Sequence, residues 1–180
     1  GTIDHLKNPS IKKVLDYYYT YYVPNNMAIV LSGDLNPEKT IELIDKYWGD
    51  KKPGTVPEFK PAVEKPVSSP IIQEVFGQDA DFLYVGYRFP GANTRENDLI
   101  TMIDMILANS AAGLLDLNLN QSQKVLSSNS FVMTFKDYST HILAGNPRQG
   151  QKLEEVKDLL LEQVELVKKG NFPDWLPGAI

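Results

Sequence analysis

The sequence predicts an α+β fold, in which an antiparallel or mixed sheet carries helices packed on one face. Segments of helical and strand periodicity alternate along the 180 residues, and no βαβ unit repeats. Hydrophobic residues make up 42% of the chain and charged residues 23%, so the chain can bury a core. Five prolines within residues 50–70 separate two parts of the chain.

Residues 1–49 predict a helix, a strand and a second helix. An amphipathic helix covers residues 9–22, with Asn8-Pro9 at its start, and its tyrosine-rich stripe favours core packing over a ligand platform. The apolar run at residues 27–31 predicts a buried strand. Asn36-Pro37 begins the second helix, and Gly49 ends it.

Residues 50–70 predict an extended linker without regular structure, because proline removes backbone donors and disfavours helix. Residues 71–180 predict a second α+β part. Its expected strands are 71–76, 82–89, 125–136 and 141–145, and its expected helices are 94–108, 114–120 and 151–169. The chain begins without Met and stops as a new amphipathic segment begins, so we expect an excised part of a longer protein.

Composition argues against several classes of function. The net charge of −5 argues against a nucleic-acid partner, which needs a basic face. The absence of cysteine excludes disulfides, thiol catalysis and cysteine-ligated zinc. No apolar run approaches the roughly 20 residues of a membrane span. The compartment stays open between the bacterial periplasm or cell envelope and the cytoplasm.

Neither histidine lies in a zinc-binding pattern. A catalytic zinc needs three protein ligands at fixed spacing, and His5 and His141 are isolated from each other in the sequence. We expect a structural or solvent-facing role for both. Asp79 and Asp81 share a turn but lack the regular ligand spacing of a calcium loop.

The remaining polar candidates have structural explanations. Glu154 and Glu155 begin the last helix, where negative charge meets the positive end of the helix dipole. Ser127, Ser128 and Ser130 lie in an expected strand without a nearby base, and no G-x-S-x-G elbow or glycine-rich phosphate loop is present. We therefore assign no catalytic, substrate-binding or metal-binding residue.

Three segments in order resemble the pitrilysin/insulinase-type zinc metallopeptidases. These are residues 22–27 (YVPNNM), residues 28–34 (AIVLSGD) and the helix end at Tyr47-Trp48-Gly49. The resemblance implies a LuxS-like or processing-peptidase-like half-domain architecture. It also implies that residues 1–49 close a preceding peptidase domain, that 50–70 form the linker, and that 71–180 form a non-catalytic domain truncated at its C-terminus.

The same resemblance implies zinc in the parent protein, bound upstream of this chain, and none in the chain itself. Active short members of the family carry an Arg-Glu pair and a later Tyr that help to hold the substrate. Asn120 would replace that Arg and Ser127 that Tyr. An amide cannot supply the cationic fork of arginine, so this role is absent from the comparable stretch.

The leading hypothesis is a non-catalytic segment of a zinc metalloendopeptidase that forms part of the wall of its peptide-binding chamber. The expected partners are the remaining domains of the parent chain, its peptide substrates and a second copy in a homo-oligomer. The alternative is an inactive relative that acts as a scaffold or partner subunit. A third interpretation is an unrelated α+β binding module.

Overall fold

The computed structural model describes residues 2–180. These residues divide into two compact units, with the boundary between Ile72 and Gln73. The first unit contains helices α1 (Ile3–Lys7), α2 (Ile11–Tyr21) and α3 (Pro37–Trp48). Helix α3 begins as predicted, because the Asn36 side chain accepts a hydrogen bond from the Lys39 backbone N–H. Helix α2 begins later than predicted, since Ser10 is its N-cap.

The strand predicted at residues 27–31 does not form. A strand needs a neighbouring strand to take up its backbone N–H and C=O groups, and no described segment pairs with this one. Its side chains are exposed, including Ile29, Val30 and Leu31. The prediction of a buried strand at residues 27–31 is therefore wrong for the described chain, both in strand pairing and in burial.

None of the described residues in the first unit is buried. The apolar stripe of α2, which we expected to pack in a core, faces solvent instead, and so does the apolar stripe of α3. The exposed side chains include Val14, Leu15, Tyr18, Ile41 and Tyr47. Tyrosines four residues apart stack along α2, with ring centroids 4.5 Å apart for Tyr17 and Tyr21. The helices are thus amphipathic without a core of their own in the described chain.

Residues 51–82 form no helix or strand. The strand predicted at residues 71–76 is therefore wrong: Ile71, Val75 and Phe76 are exposed, Phe76 by 91%. As at residues 27–31, no partner strand is available. None of the described helices is long and apolar enough to cross a membrane.

The second unit is an antiparallel three-stranded sheet in the order β1-β3-β2, with helices on one face. This architecture confirms the predicted α+β class. Its elements are β1 (Leu83–Pro90), α4 (Arg95–Leu107), a π-helical turn (Asp116–Asn120, here the π-turn), β2 (Ser127–Thr134), β3 (Tyr138–Asn146) and α5 (Leu153–Lys168). Short 3₁₀ turns lie at Ser110–Ala112 and Leu176–Gly178.

Strand β3 shows which face of the sheet the helices cover. Its residues alternate between buried and half-buried, and Ser139, His141, Leu143 and Gly145 are the buried ones. A Cβ built at Gly145 would lie 2.5 Å from a methyl carbon of Val156 on α5, so helix and strand touch there. The opposite face of the sheet, which we call the open face, is uncovered in the described chain.

The hydrophobic core lies between the helices and the covered face. It contains Leu107, Leu115, Leu119, Leu143, Val156 and Leu160, among others. The periodicity of α4 and α5 predicted three of these side chains, those of Leu107, Val156 and Leu160. It also predicts an inward side chain at Leu99, which is half-exposed instead. The polar Gln163 is buried in α5, where its Oε1 accepts a hydrogen bond of 2.7 Å from the Asn118 side chain.

Candidate functional site: a buried polar seam and an open cleft

Polar side chains meet between α4 and the covered face of the sheet, and we call this group the polar seam. Asp104 on α4 is at its centre, because its Oδ1 accepts a 2.6 Å hydrogen bond from the Ser130 hydroxyl. The same oxygen lies 2.9 Å from His141 Nε2. His141 is only 3% exposed and Ser130 4%. One carboxylate oxygen therefore joins both β2 and β3 to α4.

Asn97 forms the second junction of the seam, about two turns before Asp104 on α4. Its Oδ1 accepts hydrogen bonds from the Ser139 hydroxyl at 2.6 Å and from the Thr134 hydroxyl at 3.0 Å. Every described buried side-chain nitrogen and oxygen atom has a hydrogen-bond partner. The seam is thus a satisfied network, which holds a helix on a sheet in a defined register.

The order of the groups in the seam does not suit nucleophilic catalysis. In a serine hydrolase the imidazole lies between the hydroxyl and the carboxylate, so that it can take the hydroxyl proton. Here the carboxylate of Asp104 lies between Ser130 and His141, and the hydroxyl donates to the carboxylate. This geometry stabilises the packing of three elements and leaves the hydroxyl without an imidazole base.

Asn120 holds the π-turn against the start of β2. Its side-chain oxygen accepts hydrogen bonds from the Ser128 N–H at 2.8 Å and hydroxyl at 2.9 Å, and its amide donates to the Ser128 carbonyl at 3.0 Å. Ser127 is exposed, and its hydroxyl accepts a 2.9 Å bond from Asn146. The two residues expected to replace a substrate-holding pair therefore have structural partners.

An open cleft of about 850 Å³ lies beside the sheet, where β1 begins, β3 ends and α5 begins. Its apolar lining includes Phe82 and Tyr84, whose ring centroids are 5.1 Å apart, and Leu126. All three side chains are more than half exposed. The cleft thus presents an aromatic wall to solvent at one end of the sheet.

Charged side chains of both signs line the same cleft. Asp79, Asp81 and Glu154 contribute carboxylates, and Arg148 and Lys152 contribute cations. Within residues 2–180, none of these five side chains forms an ion pair. The sequence did not single out Arg148 or Lys152, because neither residue belongs to a sequence motif and only the fold brings them into the cleft.

The donor set of the described chain does not fit a zinc ion. His5 lies on α1 and is exposed, whereas His141 is buried against Asp104. No group of three or more His, Asp or Glu residues gathers among residues 2–180. Asp79 and Asp81 contribute to the cleft, and Glu154 and Glu155 lie in the first turn of α5.

Sequence reasoning overlooked the polar seam, although the sequence contains a signal for it. Ser128 and Ser130, and likewise Ser139 and His141, are two residues apart and share one face of their strands. Asp104 interrupts the apolar face of α4 at a matching position. Alternating polar residues on a strand that faces a polar helix position would have indicated a buried network.

Comparison with known proteins shows which family the chain resembles. The family described as "Peptidase M16 inactive domain" matches residues 10–176. "Zinc protease PqqE" of Helicobacter pylori is 22% identical over 179 residues, which cover 96% of this chain and 40% of that protein. "Probable zinc protease PqqL" of Haemophilus influenzae is 31% identical over 55 residues, covering 31% of this chain and 6% of that protein.

Solved structures share the fold. A protease from Helicobacter pylori has a TM-score of 0.73 at 20% identity over 98% of this chain and 44% of its own. The first half of the periplasmic protease PqqL from Escherichia coli has a TM-score of 0.64 at 13% identity, covering 98% of this chain and 39% of its own.

The chain spans about 40% of the length of the Helicobacter pylori relative. The family match extends across residues 50–70 and over most of both units, which overturns the interpretation as an unrelated binding module. The chain belongs to the M16 peptidase family and matches the inactive domain of these zinc proteases.

Proposed function

We propose that the chain contributes a non-catalytic wall to the peptide-binding chamber of a zinc metalloendopeptidase. The family match to an inactive domain supports this function, as do the zinc-protease names of the relatives. The residues of this chain would supply shape and surface, while zinc and the attacking water would be held by another domain of the parent protein.

One structural observation supports the proposal most strongly: the sheet is covered on one face only. The open face presents Phe131 and Met133 on β2, Ile142 on β3 and Tyr84 on β1, which are partly or largely exposed. An apolar, aromatic surface of this kind fits the side chains of an extended peptide. We assign the open face to the chamber side.

We propose the domain assignment that the resemblance implies. Residues 1–49 would close a preceding peptidase domain, residues 50–70 would link the two domains, and residues 71–180 would belong to the inactive domain. The unpaired apolar run at residues 27–31 supports this assignment, because a sheet in the preceding domain would supply its partner strand. A homo-oligomeric contact would cover the same surface in another way.

The proposed compartment is the bacterial periplasm, because a structurally similar protein from Escherichia coli is described as periplasmic. The proposed cofactor of the parent is zinc, held outside residues 1–180. We expect the isolated chain to retain no stoichiometric zinc after dialysis, measured by elemental analysis. One zinc per chain would contradict this, and a His141→Gln variant would then show whether His141 is a ligand.

Site-specific crosslinking in the intact parent protease tests the assignment of the open face. A photoreactive benzoylphenylalanine at position 131 should crosslink to a labelled peptide substrate. The same group at position 158, an exposed site on α5, should not. Equal yields at both positions, or a yield at position 158 alone, would place the peptide elsewhere.

An inactive scaffold subunit is the second candidate, and Asn120 favours it. The Asn120 side chain is hydrogen-bonded to Ser128 and is therefore not available to bind substrate. This is the arrangement expected in a domain without a catalytic role. The reading frame upstream of Gly1 separates the two candidates. An H-x-x-E-H motif followed by a later Glu supports the protease, and its absence supports the scaffold.

A further inference from the structure

We propose that the open face of the sheet selects peptides that carry a carboxylate side chain two residues from a bulky apolar side chain. Arg88 on β1 would bind the carboxylate, and the uncovered space above Gly86 would take the apolar side chain. This inference rests on the proposed function, because it takes the open face as the chamber side. It adds the substrate class and the residues that recognise it.

The strand register places Arg88 and Gly86 on the open face. Leu83 and Val85 of β1 pack against the hydrophobic core on the covered face. Successive residues of a strand point to opposite faces, so Gly86 and Arg88 lie on the other side of the sheet. Arg88 is exposed there, opposite Thr140 of β3.

An aromatic ring orients the guanidinium group of Arg88. Its Cζ atom lies 5.0 Å from the centroid of the Tyr138 ring. A guanidinium group over a ring directs its N–H groups outward in its own plane, where a carboxylate accepts two parallel hydrogen bonds. Arg88 therefore presents a planar cation in a restricted orientation, which suits recognition of a carboxylate better than a freely rotating lysine would.

The charge of the open face also favours an acidic ligand. Arg88 is the only charged residue among the open-face positions of the three strands, which are 84, 86, 88 and 90 on β1, 127, 129, 131 and 133 on β2, and 138, 140, 142, 144 and 146 on β3. The whole chain carries a net charge of −5. This face therefore attracts a carboxylate and repels a cationic side chain, unlike the chain as a whole.

The space above Gly86 is the second element of recognition. Beyond its chain neighbours, a Cβ built at Gly86 would meet only Thr140 Cγ2, at 3.9 Å. Gly86 lies opposite Ile142, which in turn lies opposite Phe131. Glycine inside a strand often marks a site that a ligand approaches closely. A bulky apolar side chain above Gly86 would cover apolar surface of Ile142 and Phe131 that is otherwise in contact with water.

The spacing of the two positions matches an extended peptide. Gly86 and Arg88 are two residues apart on one strand, so they are separated by about 6.6 Å along the face. Every second side chain of an extended peptide has this same spacing. A peptide along β1 can thus place an apolar side chain above Gly86 and the next side chain of the same face at Arg88. An acidic residue directly beside the apolar one would point away.

The test uses the intact parent protease with benzoylphenylalanine at position 131, and it follows crosslinking against peptide concentration, so no cleavage is needed. Short labelled peptides of equal length contain phenylalanyl-alanyl-glutamate or the reverse order, each with a glutamine counterpart. In one of the two chain directions, glutamate should lower the half-saturating concentration roughly tenfold. A peptide with phenylalanine and glutamate adjacent should bind like the glutamine counterparts.

Variants assign the preference to single residues. Arg88→Gln should reduce the tenfold ratio between the glutamate and glutamine peptides to about one, and Arg88→Lys should retain part of it because it keeps the charge without the planar fork. Gly86→Val fills the space and should reduce the advantage of phenylalanine over alanine in the peptide. Lys157→Gln removes one positive charge on α5 and is the matched control, in which the tenfold ratio should persist.

Three results would overturn this inference while leaving the chamber assignment intact: equal binding of the glutamate and glutamine peptides, an unchanged ratio in Arg88→Gln, or equal binding of the spaced and adjacent peptides. Absence of crosslinking at position 131 with every peptide would overturn the chamber assignment and this inference together. Circular dichroism identifies a variant that does not fold. In that case the comparison of peptides on the protein without that substitution still decides.

Discussion

Asn120 makes three hydrogen bonds to Ser128, and they join the π-turn to β2. The amide side chain matches the geometry of a backbone N–H and C=O pair, which a guanidinium group cannot do because it has no acceptor. The Asn120 side chain is therefore suited to holding the π-turn against β2.

Replacing Asn120 by alanine should lower the free energy of unfolding by about 2 kcal/mol, because the buried Ser128 loses three hydrogen bonds. Urea denaturation of the purified chain measures this. Asn129→Ala, on the open face of the same strand, is the matched control and should change the free energy by less than about 0.5 kcal/mol. Equal losses in both variants would show that Asn120 does not hold the π-turn.

Asp104 likewise stabilises the fold by accepting hydrogen bonds from buried groups, here Ser130 and His141 of the polar seam. An Asp104→Ala variant leaves the Ser130 hydroxyl and the His141 Nε2–H in a buried site without an acceptor, so it should cost about 3 kcal/mol of unfolding free energy. Asp104→Asn keeps an acceptor oxygen and should cost less. If the two variants have the same midpoint in urea, the hydrogen bonds of Asp104 contribute little.

At the scale of elements, the second unit depends on the close approach of α5 to β3 at Gly145. A Cβ at this position would lie 2.5 Å from Val156 Cγ1 and 3.1 Å from Leu160 Cδ1, and both side chains are fully buried. Such crowding forces the helix away from the strand or a side chain out of its preferred rotamer. Glycine is thus required here for space and not for backbone freedom.

Gly145→Ala should lower the free energy of unfolding by about 2 kcal/mol. The matched control is Gly86→Ala on β1, which places a methyl group on the open face at 3.9 Å from Thr140 and should be neutral or slightly stabilising. Thermal unfolding followed by circular dichroism compares the two. A neutral Gly145→Ala variant would mean that α5 can move without loss of packing.

Local sequence signals predicted the helices better than the strands. The Asn36 cap of α3 and the Thr94 cap of α4 are hydrogen-bonded to the backbone as expected. Residues 27–31 and 71–76 have equally clear apolar runs but form no strands. A helix satisfies its backbone internally, whereas a strand exists only where a second strand lies beside it.

At the scale of the whole molecule, the two units differ in how they bury apolar surface. The second unit has a core around Leu107, Leu119 and Leu143, whereas no described residue of the first unit is buried. Exposed apolar stripes on α2 and α3 are surfaces that associate with other surfaces. Under the domain assignment proposed above, the preceding domain would cover them, and in the isolated chain a second copy can.

We therefore expect the isolated chain to self-associate. Its molar mass by light scattering should rise with concentration above that of the monomer. Leu15→Lys combined with Tyr18→Lys places two charges in the stripe of α2 and should shift the chain toward the monomer. Lys13→Gln on the same helix is the control. A strictly monomeric unmodified chain would show that the stripe does not drive association.

The sequence by itself determined the α+β class, the caps and periodicity of the helices, the linker prolines and the resemblance to a zinc-peptidase family. These features depend on residues that are close in the chain. Only the tertiary structure decided that Asp104 joins Ser130 to His141. The same is true of the hydrogen bonds between Asn120 and Ser128, and of the cleft that Arg148 and Asp79 both line. These contacts link residues far apart in sequence, so they exist only once strand pairing and helix packing have set their distances.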